Sequence, residues 1–205
     1  EKTSGALFGI APIQQSAKSP AGQWNRLLVR AERSRIVVQS NDVQTVDVDL
    51  NENVFVRGKV SQREFASRKS GRIGLQGSGS SVEFRAVRLR RLSSTAGSND
   101  NWTELTLPGS TLAAWDELES LADPKDANRF PNHRPTKGQW TEEGGVLRCV
   151  KQAPGWLKSK REFQDFVLEL EFKLPPNGNS GVIIRSPATG HSSEVGMEVQ
   201  IIDDR

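Results

Sequence analysis

Between Phe166 and Leu174 the chain alternates without a break: Phe166, Leu168, Leu170, Phe172 and Leu174 stand at every second position, with Val167, Glu169, Glu171 and Lys173 between them. A period of two puts each set on its own side of a strand. Five large apolar side chains on one face have to be covered, and the cover expected for a strand face is a second sheet.

The remaining sequence repeats this pattern in shorter pieces. Ala6 to Ile10 reads as a short apolar strand, and in the segment opened by Trp24, Leu27, Val29 and Ala31 alternate with Leu28 and Arg30. Arg35 to Gln39 and Val43 to Leu50 flank Ser40, Asn41 and Asp42, a turn-forming cluster. They predict a hairpin with Val46, Val48 and Leu50 inward and Asp47 and Asp49 outward. Strand spacing sets those two carboxylates along an exposed face, which disfavours calcium binding. Gly71 to Gln76 is another strand, and the GSGSS after it lacks the Lys-Ser/Thr of a phosphate loop, so it is a turn. In VEFRAVRLRRL, Val82 and Phe84 share one parity while Val87 and Leu89 share the other. Keeping all four inward takes one extra residue near Arg85 and Ala86, which predicts a β-bulge.

Ser93 to Asp100, SSTAGSND, has the composition of a linker, and the character of the chain changes there. Beyond it WTELTL reads as a strand. Leu112, Trp115, Leu118 and Leu121 stand near helical spacing and predict one short helix from Leu112 to Ala122. A Pro-punctuated loop follows, whose His133 has no nearby Cys or second His to complete a metal site. With GGVLRCV, GWLKSKREF and the alternating run, the sum is an all-β sandwich of two antiparallel sheets with one short helix.

Composition excludes some classes of function. No apolar run approaches the roughly 18 residues of a membrane helix, so no membrane span is expected. Cys149 is the only cysteine, which rules out an intramolecular disulfide, and the chain opens without a basic and apolar leader. Residues 1–100 carry 16 Lys and Arg against 9 Asp and Glu, the remainder 12 against 16, so the two halves have opposite sign and attract. Arg85, Arg88, Arg90 and Arg91 cluster on a strand among glutamates, a solvated face. With no basic helix and no aromatic stacking motif, nucleic acid is not an expected partner.

Chemistry concentrates near the end. In GMEVQIIDD, Met197, Val199 and Ile201 take one face and Glu198 and Gln200 the other, with Asp203 and Asp204 just past the strand. In NSGVIIRSP, Val182 and Ile184 point one way and Ile183 and Arg185 the other, so parity stands Arg185 beside Glu198. His191 lies in the Gly/Ser loop between these strands and reads as a mobile surface residue.

These motifs carry a resemblance. GGVLR, the Trp156-Leu157 pair, F-x-DF-x-LELEF-x-L, NSG followed by three apolar residues and Arg, and GMEVQI-x-DD resemble the first half of the 3-keto-disaccharide hydrolase domain. SGALFG (Ser4 to Gly9), PAGQWN (Pro20 to Asn25), GRIGLQGSG (Gly71 to Gly79) and VEFRAVRL (Val82 to Leu89) resemble its second half, yet come first. The halves therefore stand in swapped order: residues 1–92 as the C-terminal half, 93–101 as linker and 102–205 as the N-terminal half, packing together as one sandwich. The order reads as a piece of a tandem pair or as a circular permutation, and the tandem piece is the expectation.

The resemblance implies a concanavalin-like jelly roll, a periplasmic or extracellular setting and action on glycosides oxidised at carbon 3. Elimination across carbons 1 and 2 gives a 2-hydroxy-glucal, which is then hydrated. A ketone acidifies the neighbouring C–H, so a carboxylate serves as base if a cation or donor stabilises the enolate. Glu198 is the candidate base and Arg185 the candidate stabiliser. Asn179, Gln200, Asp203 and Trp156 are candidate ligands of a glycoside or oligosaccharide substrate. No residues are assigned to a metal, and cofactors stay open. A bland reading stands beside each: Arg185 and Glu198 as a cross-strand ion pair, Asp203 and Asn179 as turn formers. A non-catalytic carbohydrate-binding or adhesion module is the rival class.

Overall fold

In a computed structural model of the chain, which describes residues 3–52, 68–78, 81–92, 101–106, 109, 111–121, 132–135, 139–150, 154–187 and 196–203, the alternating segment Phe166–Lys173 is strand β12. It runs antiparallel between β1 (Asn25–Glu32) and β5 (Glu83–Arg91). Beyond β1 the sheet continues through β2 (Arg35–Ser40) and β3 (Val43–Asp49). Beyond β5 it continues through β10 (Val146–Cys149) and β9 (Trp140–Glu143), and the two-residue β6 (Thr103–Glu104) also lies against β5.

The second sheet has six strands in the order β14 (Met197–Ile202), β13 (Asn179–Ser186), β4 (Arg72–Ser78), β11 (Pro154–Ser159), β7 (Trp115–Leu121) and β8 (Asn132–Pro135). Its pairings are antiparallel too. The apolar face of β12 meets Ile73, Leu75, Leu157, Val182, Ile184, Met197 and Val199 of this sheet in one buried cluster, so the architecture is a two-sheet antiparallel sandwich. Strands from before and after the linker-like segment alternate in both sheets: β12 separates β1 from β5, and β4 separates β13 from β11.

The outer face of the eight-stranded sheet shows where the opposite charges go. Glu169 accepts from Arg26 and Arg88, each at 3.1 Å, Glu171 pairs with Arg85, and Glu83 pairs with Arg148 at 2.6 Å and with Lys173. The Arg85 guanidinium also lies 4.0 Å over the Trp24 ring. The basic partners are about a third or more exposed, so each pair contributes no more than about 1 kcal/mol. Their effect is on register, since a slipped β12 would lose together the pairs made by Glu169, Glu171 and Lys173.

Local geometry follows from residue choice in the β2–β3 hairpin and in β5. Asn41 and Asp42 have φ of 46° and 66°, the left-handed pair of a two-residue turn that Asn and Asp tolerate best among non-glycine residues. In β5 the register against β12 jumps from Arg88 opposite Glu169 to Arg85 opposite Glu171, and Ala86 takes φ 49°. This is the expected bulge, and it keeps Val82, Phe84, Val87 and Leu89 all buried.

Two expectations are corrected. The predicted helix is not one: a single 3-10 turn, Thr111–Ala114, leads into β7. The cause is tertiary. Trp115 is buried and donates its Nε1 to the Leu105 carbonyl at 3.0 Å, while the strand backbone pairs with both β11 and β8. Residues Ala6 to Ile10 form turns rather than a strand, yet the backbone here still bonds to β14. Gly5 N and Phe8 N donate to the carbonyls of Gln200 and Glu198, both at 2.8 Å, and Gln200 N donates to Ala6 O at 2.9 Å. The free edge of β14 is thereby covered. The linker (93–100), His191, Asp204, Ala122 and the His133 side chain lie outside the described residues.

Candidate functional site

Because β14 turns Met197, Val199 and Ile201 into the core, Glu198 and Gln200 must point away from it, as parity requires. Neighbouring strands bring their own outward residues alongside. Glu198 is opposite Ile183 on β13, Ile183 is opposite Gly74 on β4, Gly74 is opposite Lys158 on β11, and Lys158 is opposite Asp116 on β7. A parallel row runs through Gln200 and Gly181, then Gln76, Trp156 and Leu118.

These residues are buried even though they face away from the core: Glu198 is 5% exposed, Gln200 4% and Trp156 1%. The outward face at these residues is therefore covered and polar, not an open surface. Glycine makes room within it. A Cβ at Gly181 would fall 2.2 Å from Glu198 Oε1, so the carboxylate lies down on the sheet where residue 181 has no side chain. A Cβ at Gly74 would touch Ile183 and the Cε3 edge of Trp156. Gln200 is fixed by two donated hydrogen bonds, to Asn179 Oδ1 at 2.7 Å and to the Ser180 carbonyl at 2.9 Å.

Of the sequence candidates, the sheet brings Glu198, Gln200, Asn179 and Trp156 to one region. Trp156 is buried as part of its floor. Asp203 acts structurally. Its Oδ2 accepts from Asn177 N at 2.8 Å and its own amide donates to the Gly178 carbonyl, which closes the turn between β12 and β13. Arg185 does not join Glu198. The register between β13 and β4 shifts between Ile183 and Ser186, and Arg185 adopts φ 53°. Its guanidinium contacts the carbonyls of Arg68 and Gln164 and stands 3.5 Å from Asp165, at one end of the sandwich.

Sequence reasoning missed Lys158. It is 0% exposed, and its Nζ crosses β4 to donate to the Pro187 carbonyl at 3.2 Å. Burial lowers its pKa to about 8, the nearby Arg72 guanidinium pushes the same way, and Asp116 opposes both. Arg72 and Asp116 are themselves paired at 3.0 Å. The available signal was parity: Leu157 faces the core, so Lys158 between Leu157 and Ser159 had to face outward with Glu198. The face thus offers a carboxylate and an amine about 14 Å apart at their backbones, three strand spacings, with the Glu198 carboxylate lying toward Gly181 and the Lys158 Nζ toward Pro187. Among the described residues, no group of three or more His, Cys, Asp or Glu is arranged to hold a metal ion.

A protein-family model described as the 3-keto-alpha-glucoside-1,2-lyase-like domain matches residues 1–90 and 101–205. No curated protein matches the chain.

Proposed function

The chain belongs to the 3-keto-alpha-glucoside-1,2-lyase-like domain family, which is associated with 3-keto-glycoside processing, and from that membership we propose that it cleaves 3-keto-glucosides by elimination and hydration on the outer face of its six-stranded sheet. The observation that carries this reading is the Glu198 carboxylate held over Gly181 on a buried face that also holds the Lys158 amine.

Glu198 takes the proton from carbon 2 of the sugar, which the ketone at carbon 3 acidifies. The electron pair passes into the enolate, then forms the C1–C2 double bond as the C1–O bond breaks, and the leaving alkoxide is protonated. Water added back across C1–C2 gives the free 3-keto sugar. A water-poor site strengthens each electrostatic contact in this sequence. The enolate oxygen needs a donor on the same face. Lys158 supplies one there, whereas Arg185 has its contacts at the end of the sandwich. Gln200, oriented by Asn179, supplies an amide for the sugar hydroxyls.

Replacing Glu198 with Gln keeps shape and removes the base. Formation of the conjugated 2-hydroxy-3-keto-glucal, followed by its ultraviolet absorption, should fall by about 10² to 10⁴ with substrate affinity retained. Normal turnover by Glu198→Gln would remove Glu198 from the mechanism. Retention of glycans by the unaltered protein with no conversion of any 3-keto-glucoside would favour the binding-module reading.

A further inference from the structure

The end of the sandwich toward which Arg185 turns holds a cleft of about 1100 Å³ lined by both sheets. Its charged residues are Arg33, Arg68, Lys69, Arg91 and Arg185 against Glu162 and Asp165, an excess of positive charge. Arg185 is the anomaly. It is 1% exposed, yet the hydrogen bonds it donates to Arg68 O and Gln164 O are long, 3.3 Å and 3.4 Å. The carboxylate of Asp165 lies 3.5 Å away and is already engaged at 2.7 Å by the backbone amide of Arg33.

The buried Nε of Arg185 has no hydrogen-bond partner, and neither has the buried Nε of Arg68. Two guanidinium groups with unused buried donors on one cleft are costly, because a buried charge is tolerated when a counter-charge meets it with good geometry. Desolvation lowers the Arg185 pKa, with Asp165 only partly opposing it. The backbone also commits to this placement. Arg185 takes the left-handed conformation at φ 53°, and Gly71 lets the chains meet, since a Cβ there would fall 2.4 Å from the Arg185 carbonyl carbon. Strain of this kind in a non-glycine residue is a mark of functional sites.

We infer that this cleft is a binding site for an oxyanion, a phosphate or carboxylate group seated against the forks of Arg185 and Arg68, with Arg33 and Arg91 at its rim. The planar guanidinium matches two oxygens of such a group at once. The site is separate from the face that carries Glu198 and does not depend on the reaction assigned there. The anion has two sources, a free inorganic ion or the acidic group of a sugar.

The test is thermal melting of the full chain at constant ionic strength with inorganic phosphate, glucose 6-phosphate, glucuronate or neutral glucose replacing chloride. Phosphate should raise the melting temperature saturably, by about 3 °C or more. In the doubly substituted Arg33→Gln, Arg91→Gln protein, whose changes are at exposed positions, the apparent affinity should fall at least about 10-fold. Arg185→Met should abolish the effect, and the rim variant keeps the test decisive if Arg185→Met does not fold. Tighter binding of glucose 6-phosphate or glucuronate than of phosphate assigns the site to an acidic sugar, and equal or weaker binding assigns it to the free ion. No saturable rise with any of the three anions, an equal rise with glucose, or a rise unchanged in the rim variant would overturn the inference. None of these readings requires turnover.

Discussion

Lys158 is a buried amine whose pKa lies near 8 instead of its ordinary 10.5. Between those values the unfolded chain binds more protons than the folded one, so stability rises with pH across that window and is flat below it. A depression of that size corresponds to about 3 kcal/mol against the charged form. Lys158→Met should therefore be the more stable protein at about pH 7 in urea denaturation and should lose the rise toward about pH 10; parallel profiles for the two proteins would contradict the burial argument. At Gly181 the expected effect is on chemistry: Gly181→Ala drives a methyl group into the Glu198 carboxylate, so turnover should drop at least about 10-fold with the fold intact by circular dichroism. Parity made Glu198 and Gln200 legible as partners on one face. It also applies to Lys158, where it is outweighed by the ordinary expectation that a lysine on a strand is solvated. Arg185 was not legible at all, since a register shift with positive φ at an arginine has no compositional signal, unlike the Asn41-Asp42 turn.

Among elements, β5 and β7 show when pattern suffices. In β5 the apolar residues change parity, and only an inserted residue reconciles them with one core, so the bulge could be placed near Arg85 and Ala86 without coordinates, and the structure puts it at Ala86. Ala86→Gly relieves the left-handed cost and should stabilise the protein by about 1 kcal/mol in chemical denaturation. Deleting Ala86 should instead abolish cooperative unfolding, because Val87 and Leu89 would be turned outward. In β7 the spacing of Leu112, Trp115, Leu118 and Leu121 fits a helix, but a run this short does not decide between periods, and its neighbours β11 and β8 supply the hydrogen bonds that make it a strand. The turns at residues 5–8 carry a further lesson: the backbone of Glu198 and Gln200 is held from the far end of the chain, by hydrogen bonds that no periodicity encodes.

For the molecule as a whole, the swapped motif order and the interleaved strands make one expectation concrete. Residues 1–92 without β12 leave β1 and β5 with bare edges on the same sheet, and residues 102–205 without β4 leave β13 and β11 unjoined. Expressed separately, neither segment should unfold cooperatively, and mixing them should restore a sandwich spectrum by circular dichroism; a cooperative transition in either segment alone would contradict this. The alternation of β12 announced two layers, and the turn clusters announced many strands. The order of strands within each sheet stayed hidden, because pairing across the linker is set by long-range contacts and by charges such as Glu169 with Arg26 and Arg88. The central place of β12 also has a consequence in time. On a ribosome adding about 5 to 20 residues per second, β1 and β5 emerge several seconds before the strand that joins them, so the nascent chain waits with two adhesive edges open.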